Sequence, residues 1–148
     1  MAWSQNPTPG YSVGPYAPIP VLLPTTAKTA MGDNTNAVKV IDHSVAALAN
    51  YRILLSQIDL VPTGALSAGK FWLFLAAIGA TTTGFLEKDE LVNASQSGFS
   101  TTVGGTRLNF PTWTSSKPLI VPEGYDLWAA SSVAQASPPY LDMVGKLY

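Results

Sequence analysis

Apolar and polar positions alternate along most of this chain in short runs, and the breaks between runs fall at Gly, Pro, Asn and Ser. Tyr51 to Val61 is the longest such run and predicts a strand with Leu54, Ser56, Ile58 and Leu60 on one face, ended by Pro62-Thr63-Gly64. Phe71 to Ala77 is continuously apolar. The hydrophobic stretch that contains it, 71–80, is about half the length a membrane-spanning helix needs, so it reads as a buried strand. Further strands are predicted at Ala37 to Ile41, Leu119 to Val121, Tyr125 to Val133 and Tyr140 to Leu147. Leu86 to Val92 fits a more polar strand or a short helix, and His43 to Asn50 a single helical turn. Phe99 to Val103 and Thr106 to Phe110 flank Gly104-Gly105, a two-residue hairpin signal because both positions tolerate positive φ. No segment of ten residues or more carries a convincing helical period. Eight or nine short strands with frequent turns predict an all-β protein, a β-sandwich or jelly-roll-like body.

Ahead of these strands the pattern changes. Residues 1–36 hold six of the twelve prolines, Pro7, Pro9, Pro15, Pro18, Pro20 and Pro24, and two charges, Lys28 and Asp33. Proline fixes φ and keeps the preceding residue out of the helical region, so the segment should be extended. A disordered tail is ordinarily polar and charged, whereas this one carries Trp3, Tyr11, Tyr16, Ile19, Val21, Leu22 and Leu23. Apolar side chains on a stiff backbone predict an arm over 1–36 that lies along a neighbouring surface, followed by a β-sandwich domain over 37–148. The other reading is irregular coil packed on its own domain.

Composition narrows the function. Only 11% of the 148 residues are charged, against about 25% in an average soluble domain. A surface so poor in charge is easier to understand when partners cover it. The net charge of −1 comes from singly scattered residues. No basic patch or stripe marks a nucleic-acid binder, and the first seven residues lack the basic and apolar regions of a leader. With no cysteine, thiol catalysis and zinc–thiolate sites are excluded.

The chemical motifs are weak. Gly64-Ala65-Leu66-Ser67-Ala68-Gly69-Lys70 fits the phosphate-binding G-x-x-x-x-G-K, but Phe71 stands where Ser or Thr should hold magnesium, and a strand follows where a helix should open. Ser67 and Lys70 fit S-x-x-K without its partner motifs. His43 is the only histidine, and its neighbour Asp42 would point to the opposite face of a strand. The reading expected is a solvent-facing or hydrogen-bonded loop histidine. Glu87, Asp89 and Glu90, interleaved with Lys88, read as a solvated edge or loop. Trp72 and Trp128 read as core, while Trp113, in a loop between Pro111 and Pro118, is the candidate for contact with a partner or a glycan. No catalytic, cofactor or metal site is expected, and the chain does not read as an enzyme.

The run Pro118-Leu119-Ile120-Val121-Pro122-Glu123-Gly124-Tyr125-Asp126-Leu127-Trp128-Ala129-Ala130-Ser131-Ser132, with the two apolar strands between Tyr51 and Leu75, resembles small bacteriophage virion structural proteins. There a short apolar strand runs into Pro-x-Gly and then a strand of small residues. The resemblance covers roughly the last hundred residues and implies a β-sandwich component of a head, neck or tail. Such proteins often form trimers or other homo-oligomers, or decorate a capsid lattice, and many clamp neighbours with an extended arm. It implies localisation in the virion after assembly in the host cytoplasm, and the major capsid protein or other virion subunits as partners. The leading expectation is a capsid decoration (cement) protein binding neighbouring subunits through its arm and sheet edges. The alternative is a tail, neck or fibre-associated module that binds a host glycan or receptor.

Overall fold

The computed structural model describes residues 14–28, 34–67, 71–80, 86–92, 108–109 and 114–148, with strand positions alone at 86–92 and 108–109. Among them are ten strands and no helix: β1 (Gly14–Tyr16), β2 (Val21–Leu22), β3 (Val38–Ile41), β4 (Ile53–Val61), β5 (Phe71–Ala77), β6 (Leu86–Val92), β7 (Leu108–Asn109), β8 (Leu119–Val121), β9 (Tyr125–Ser131) and β10 (Tyr140–Leu147). They form two antiparallel sheets. In one, β1 and β2 flank β10, which pairs with β4, and β4 in turn pairs with β7 and β8; in the other the order is β3-β9-β5-β6. The 86–92 run, open to helix or strand in the sequence, is strand. His43 to Asn50 forms successive turns, closed by Leu48 N–H to Val45 C=O and Tyr51 N–H to Leu48 C=O.

The inward side chains of both sheets meet in one core. Ile53, Leu55, Ile58, Leu60, Leu119, Val121, Leu141 and Met143 come from the β4/β10 sheet, and Ile41, Phe71, Leu73, Leu75, Leu127 and Ala129 from the β5/β9 sheet. Burying each large side chain contributes roughly 1.5–3 kcal/mol, and this shared core is what makes the two layers a β-sandwich. β5 is buried on both faces. Phe74 and Ala76 point away from the core into a second cluster with Ala130, against which Trp72 and Trp128 pack. That explains its uninterrupted apolar sequence. It also moves Trp72 and Trp128 from the expected core to the outward face.

The expected alternation of Leu54, Ser56, Ile58 and Leu60 on one face fails at Ser56. Val144 pairs with Gln57 but Gly145 pairs with Leu55, so no β10 residue stands opposite Ser56, whose hydroxyl donates to Val144 C=O at 3.3 Å. One extra residue reverses the parity of the strand. Ile53 and Leu55 therefore share the inner face with Ile58 and Leu60, while Leu54 faces outward. Gly145 makes the bulge feasible: a Cβ there would lie on the Leu54 carbonyl oxygen and 2.9 Å from the Leu54 carbonyl carbon.

Residues 14–28, expected as part of the arm, are built into the domain's own sheet. β1 pairs with the C-terminal half of β10, Gly14 opposite Leu147, and β2 pairs with its start, Leu22 opposite Tyr140. Leu23 enters the core, and its N–H donates to Pro139 C=O at 3.0 Å. The chain then crosses to the other sheet, where Lys28 N–H donates to Ser131 C=O at 2.8 Å. The physical reason is an open hydrogen-bonding edge on β10, which short, proline-interrupted strands can fill, since an edge position tolerates proline. Residues 1–13 and 29–33 lie outside the described residues.

Candidate functional site

The connection from β3 to β4 crosses between the two sheets, and His43 fastens it. Its side chain is fully buried. Nδ1 lies 3.0 Å from the Tyr125 carbonyl oxygen and Nε2 2.5 Å from that of Tyr51. A carbonyl only accepts, and a neutral imidazole has one N–H for the two carbonyls where the imidazolium has two. The His43 main-chain N–H donates to Asp126 Oδ1 at 2.7 Å. Asp126 is itself buried, and its Oδ2 stands 3.2 Å from Lys39 Nζ, which lies 5.5 Å from the centre of the Trp128 ring. The arrangement joins the crossing loop to the start of β9. It does not resemble a proton relay, because both ring nitrogens face carbonyls and the neighbouring Asp42 holds Ser44 instead.

Ser44 donates to Asp42 Oδ1 from its hydroxyl at 2.5 Å and from its main-chain N–H at 3.0 Å. The hydroxyl bond chiefly holds the Asp42 carboxyl below its ordinary range; burial opposes it, and the Ser44 N–H and the charge of Lys39 add smaller pulls downward. A folded pKa below the unfolded one gives stability that is present above the unfolded value and lost as pH falls through the folded one. Because Asp42 is well exposed, its share is small. In Ser44→Ala the Asp42 titration, followed by NMR of the side-chain carboxyl, is expected to move back up towards the usual carboxylate value, and the small share of acid-limb steepness that Asp42 supplies should shrink, with stability at neutral pH slightly lower.

The remaining motifs resolve into structure. The loop that matched a phosphate-binding motif leads into strand β5 rather than a helix. Its Ser67 is held through the main chain: Gln135 Oε1 accepts the Ser67 N–H at 2.9 Å, and Gln135 Nε2 donates to Ser67 C=O at 3.0 Å. Lys70 lies outside the described residues. Glu87, Asp89 and Glu90 sit on β6, an edge strand of its sheet. Among the described residues no three His, Asp or Glu side chains gather closely enough to hold a metal ion.

The partner-binding residues expected in the N-terminal segment divide. Tyr16 and Val21 pack against the core and Leu23 is inside it, whereas Ile19 is 84% exposed and Leu22 43%. Trp3, Tyr11 and Trp113 lie outside the described residues. The structure adds a surface that the sequence reading missed. On the outer face of the β4/β10 sheet, Leu22, Tyr140, Val144 and Ile120 are all exposed. Beside them a groove of about 380 Å³ is lined by Pro20, Val61, Tyr140 and Asp142. The signal was present in β10, whose outward row Tyr140, Asp142, Val144, Lys146 keeps two large apolar residues although Leu141 and Met143 already fill the inward row.

The other sheet differs. Its outward Phe74, Ala76 and Ala130 are fully buried, and Lys28, itself buried, places Nζ 5.7 Å from the Phe74 ring centre while donating to Thr35 C=O at 2.9 Å. The chain covers the outer face of one sheet and leaves apolar side chains standing on the other. No protein-family model matches this sequence, and no curated protein or solved structure matches it either.

Proposed function

We propose that this chain is a structural subunit of a virus particle, a capsid decoration (cement) protein that covers and ties together neighbouring shell subunits. The observation that carries this is the outer face of the β4/β10 sheet: Leu22, Ile120, Tyr140 and Val144 exposed together on a chain with few charges. Large apolar side chains left standing on an uncovered sheet face mark an interaction surface.

The strand order supports the finer reading of the body as a jelly roll. Counted as single strands, β1 with β2 and β7 with β8 leave eight. The first then pairs with the eighth, the second with the seventh, the third with the sixth and the fourth with the fifth. That is a long hairpin wrapped into two sheets, the architecture that viral capsid and lectin domains share. Fold alone does not give function, so the exposed face, not the topology, bears the argument.

The edges are poor docking sites. β1 and β2 are short and interrupted by Pro15, Pro18 and Pro20; β8 is three residues between Pro118 and Pro122; β6 carries Glu87, Lys88, Asp89 and Glu90. Prolines, charges and short strands are the usual devices against edge pairing. Attachment in this reading therefore uses the sheet face together with the residues before β1, which include Trp3 and Tyr11.

The test is to count copies of the chain in purified particles against the major capsid protein. It is paired with rebinding to stripped shells of the full chain and of a chain lacking residues 1–13. A copy number matching the shell lattice, and rebinding weakened by the deletion, are expected. A handful of copies per particle would overturn decoration in favour of a tail, neck or fibre role, and absence from particles would overturn the virion reading altogether.

A further inference from the structure

We infer that the groove beside Tyr140 receives a basic side chain, arginine or lysine, of the shell subunit on which the chain sits. This rests on the assembly reading above and names the chemistry of the partner at one point of that face. At about 380 Å³ the groove is at the small end of ligand clefts, which run from about 300 to 1,000 Å³, so it has room for a side chain rather than a folded element. Three of its lining residues, Pro20, Val61 and Tyr140, are apolar or aromatic, and the fourth is the carboxylate Asp142. Register sets Tyr140 between Leu22 and Val61, with Asp142 two residues further along the same face of β10. An apolar wall that ends on a negative charge matches a stem of methylenes that ends on a positive one, which is how lysine and arginine are built.

The charge at that end is doubled. Asp142 of β10 stands directly opposite Asp59 of β4, which sets their Cβ atoms about 5 Å apart on the outward face. Asp59 is buried, with Gln57 Nε2 donating to its Oδ2 at 2.8 Å, while Asp142 is partly exposed and lines the groove. A cation in the groove therefore touches Asp142 and feels Asp59 behind it, through protein that screens less than water. Contacts that either carboxylate makes within its own chain do not close the groove, since a carboxylate accepts about four hydrogen bonds. A neutral apolar side chain would strip water from Asp142 and offer no donor in return. A bare metal ion would find one accessible carboxylate and gain nothing from apolar walls. A basic side chain satisfies both parts.

Chemical-shift titration of the full chain with the N-acetyl methylamides of arginine and lysine tests this without a particle. Shifts confined to Tyr140, Val61, Asp142 and their neighbours are expected, saturating in the millimolar range, as befits one side chain. The norleucine analogue, which has the stem and no charge, should bind about 10-fold more weakly, and Asp142→Asn should cost the basic probes about the same factor. Val61→Lys, which places a basic side chain of the protein's own at the groove, should exclude the probes while the shifts of the other strands stay unchanged. Basic probes that leave the groove unmoved, or bind no better than norleucine, would overturn the inference, as would calcium chloride reproducing their shifts. Rebinding to stripped shells keeps the two readings apart. Shell stoichiometry with Asp142→Asn rebinding as well as the wild type sinks the groove contact alone, whereas probe binding by a chain absent from particles sinks the virion reading and leaves a site for basic side chains standing.

Discussion

Gly145→Ala is expected to destabilise the domain by about 3 kcal/mol or more, beyond the usual range for an added methylene, because the clash is with backbone and not with a movable side chain. For a domain of this size each kcal/mol lowers Tm by roughly 2–4 °C, so a fall near 10 °C should be seen. The added Cβ would lie on the Leu54 carbonyl oxygen and 3.0 Å from Leu55 Cα. To make room, β10 must move away from β4, and the pairing that holds Gly145 opposite Leu55 lies in the middle of that ladder. Gly14→Ala is the control. It too is a strand glycine, paired to β10, but a Cβ there meets nothing within 4 Å, and its melting curve should overlay the wild type within about 0.5 kcal/mol. If Gly145→Ala melts with Gly14→Ala, the bulge is not the close approach described.

That bulge also marks where sequence reasoning stops. Phe71–Ala77, Leu119–Val121 and Tyr140–Leu147 have the bounds that the sequence predicts, because the turn at Ile78-Gly79 and the prolines Pro118, Pro122 and Pro139 bound them. β4 was found as a strand, but its faces were misassigned below Ser56. Alternation counts residues, and a bulge adds one without any signal in its own strand; the signal is Gly145, 89 residues later, on the partner. The N-terminal segment was legible as extended and apolar. Its partner was not, because an edge strand and an arm on a neighbour have the same local pattern. Tyr16, Val21 and Leu23 turn inward while Ile19 and Leu22 stay outside, and only the open side of β10 decides that.

Trp72 and Trp128 teach the same point from the other side. Both lie in apolar strands, and core was the natural assignment. Yet β5 needs two apolar faces, and its outer one is closed by Lys28 crossing over Phe74. A lysine buried against an aromatic ring is a pairing across 46 positions of sequence, which periodicity does not reach. The exposed face on the β4/β10 sheet was visible only as surplus apolar residues in β10, and it gained meaning once the outer face of the other sheet proved covered.

His43→Leu should cost about 3 kcal/mol, for a reason unrelated to packing volume. Leucine fills the site, but the Tyr51 and Tyr125 carbonyls then lose the ring nitrogens that face them, and a buried polar group left without its donor costs roughly 1–3 kcal/mol. His43→Gln should recover part of the loss, since its amide can donate to a carbonyl from the same position. Urea denaturation of the three proteins gives the ordering, wild type above Gln above Leu. Hydrogen exchange gives the location: opening should rise first at the Leu48 and Tyr51 amides of the crossing loop and at the Asp126 end of β9, where the His43 N–H is also anchored. If His43→Leu instead equals the wild type in stability, the two carbonyls must be satisfied from elsewhere, and the ring would be filling space in the loop rather than fastening it to β9.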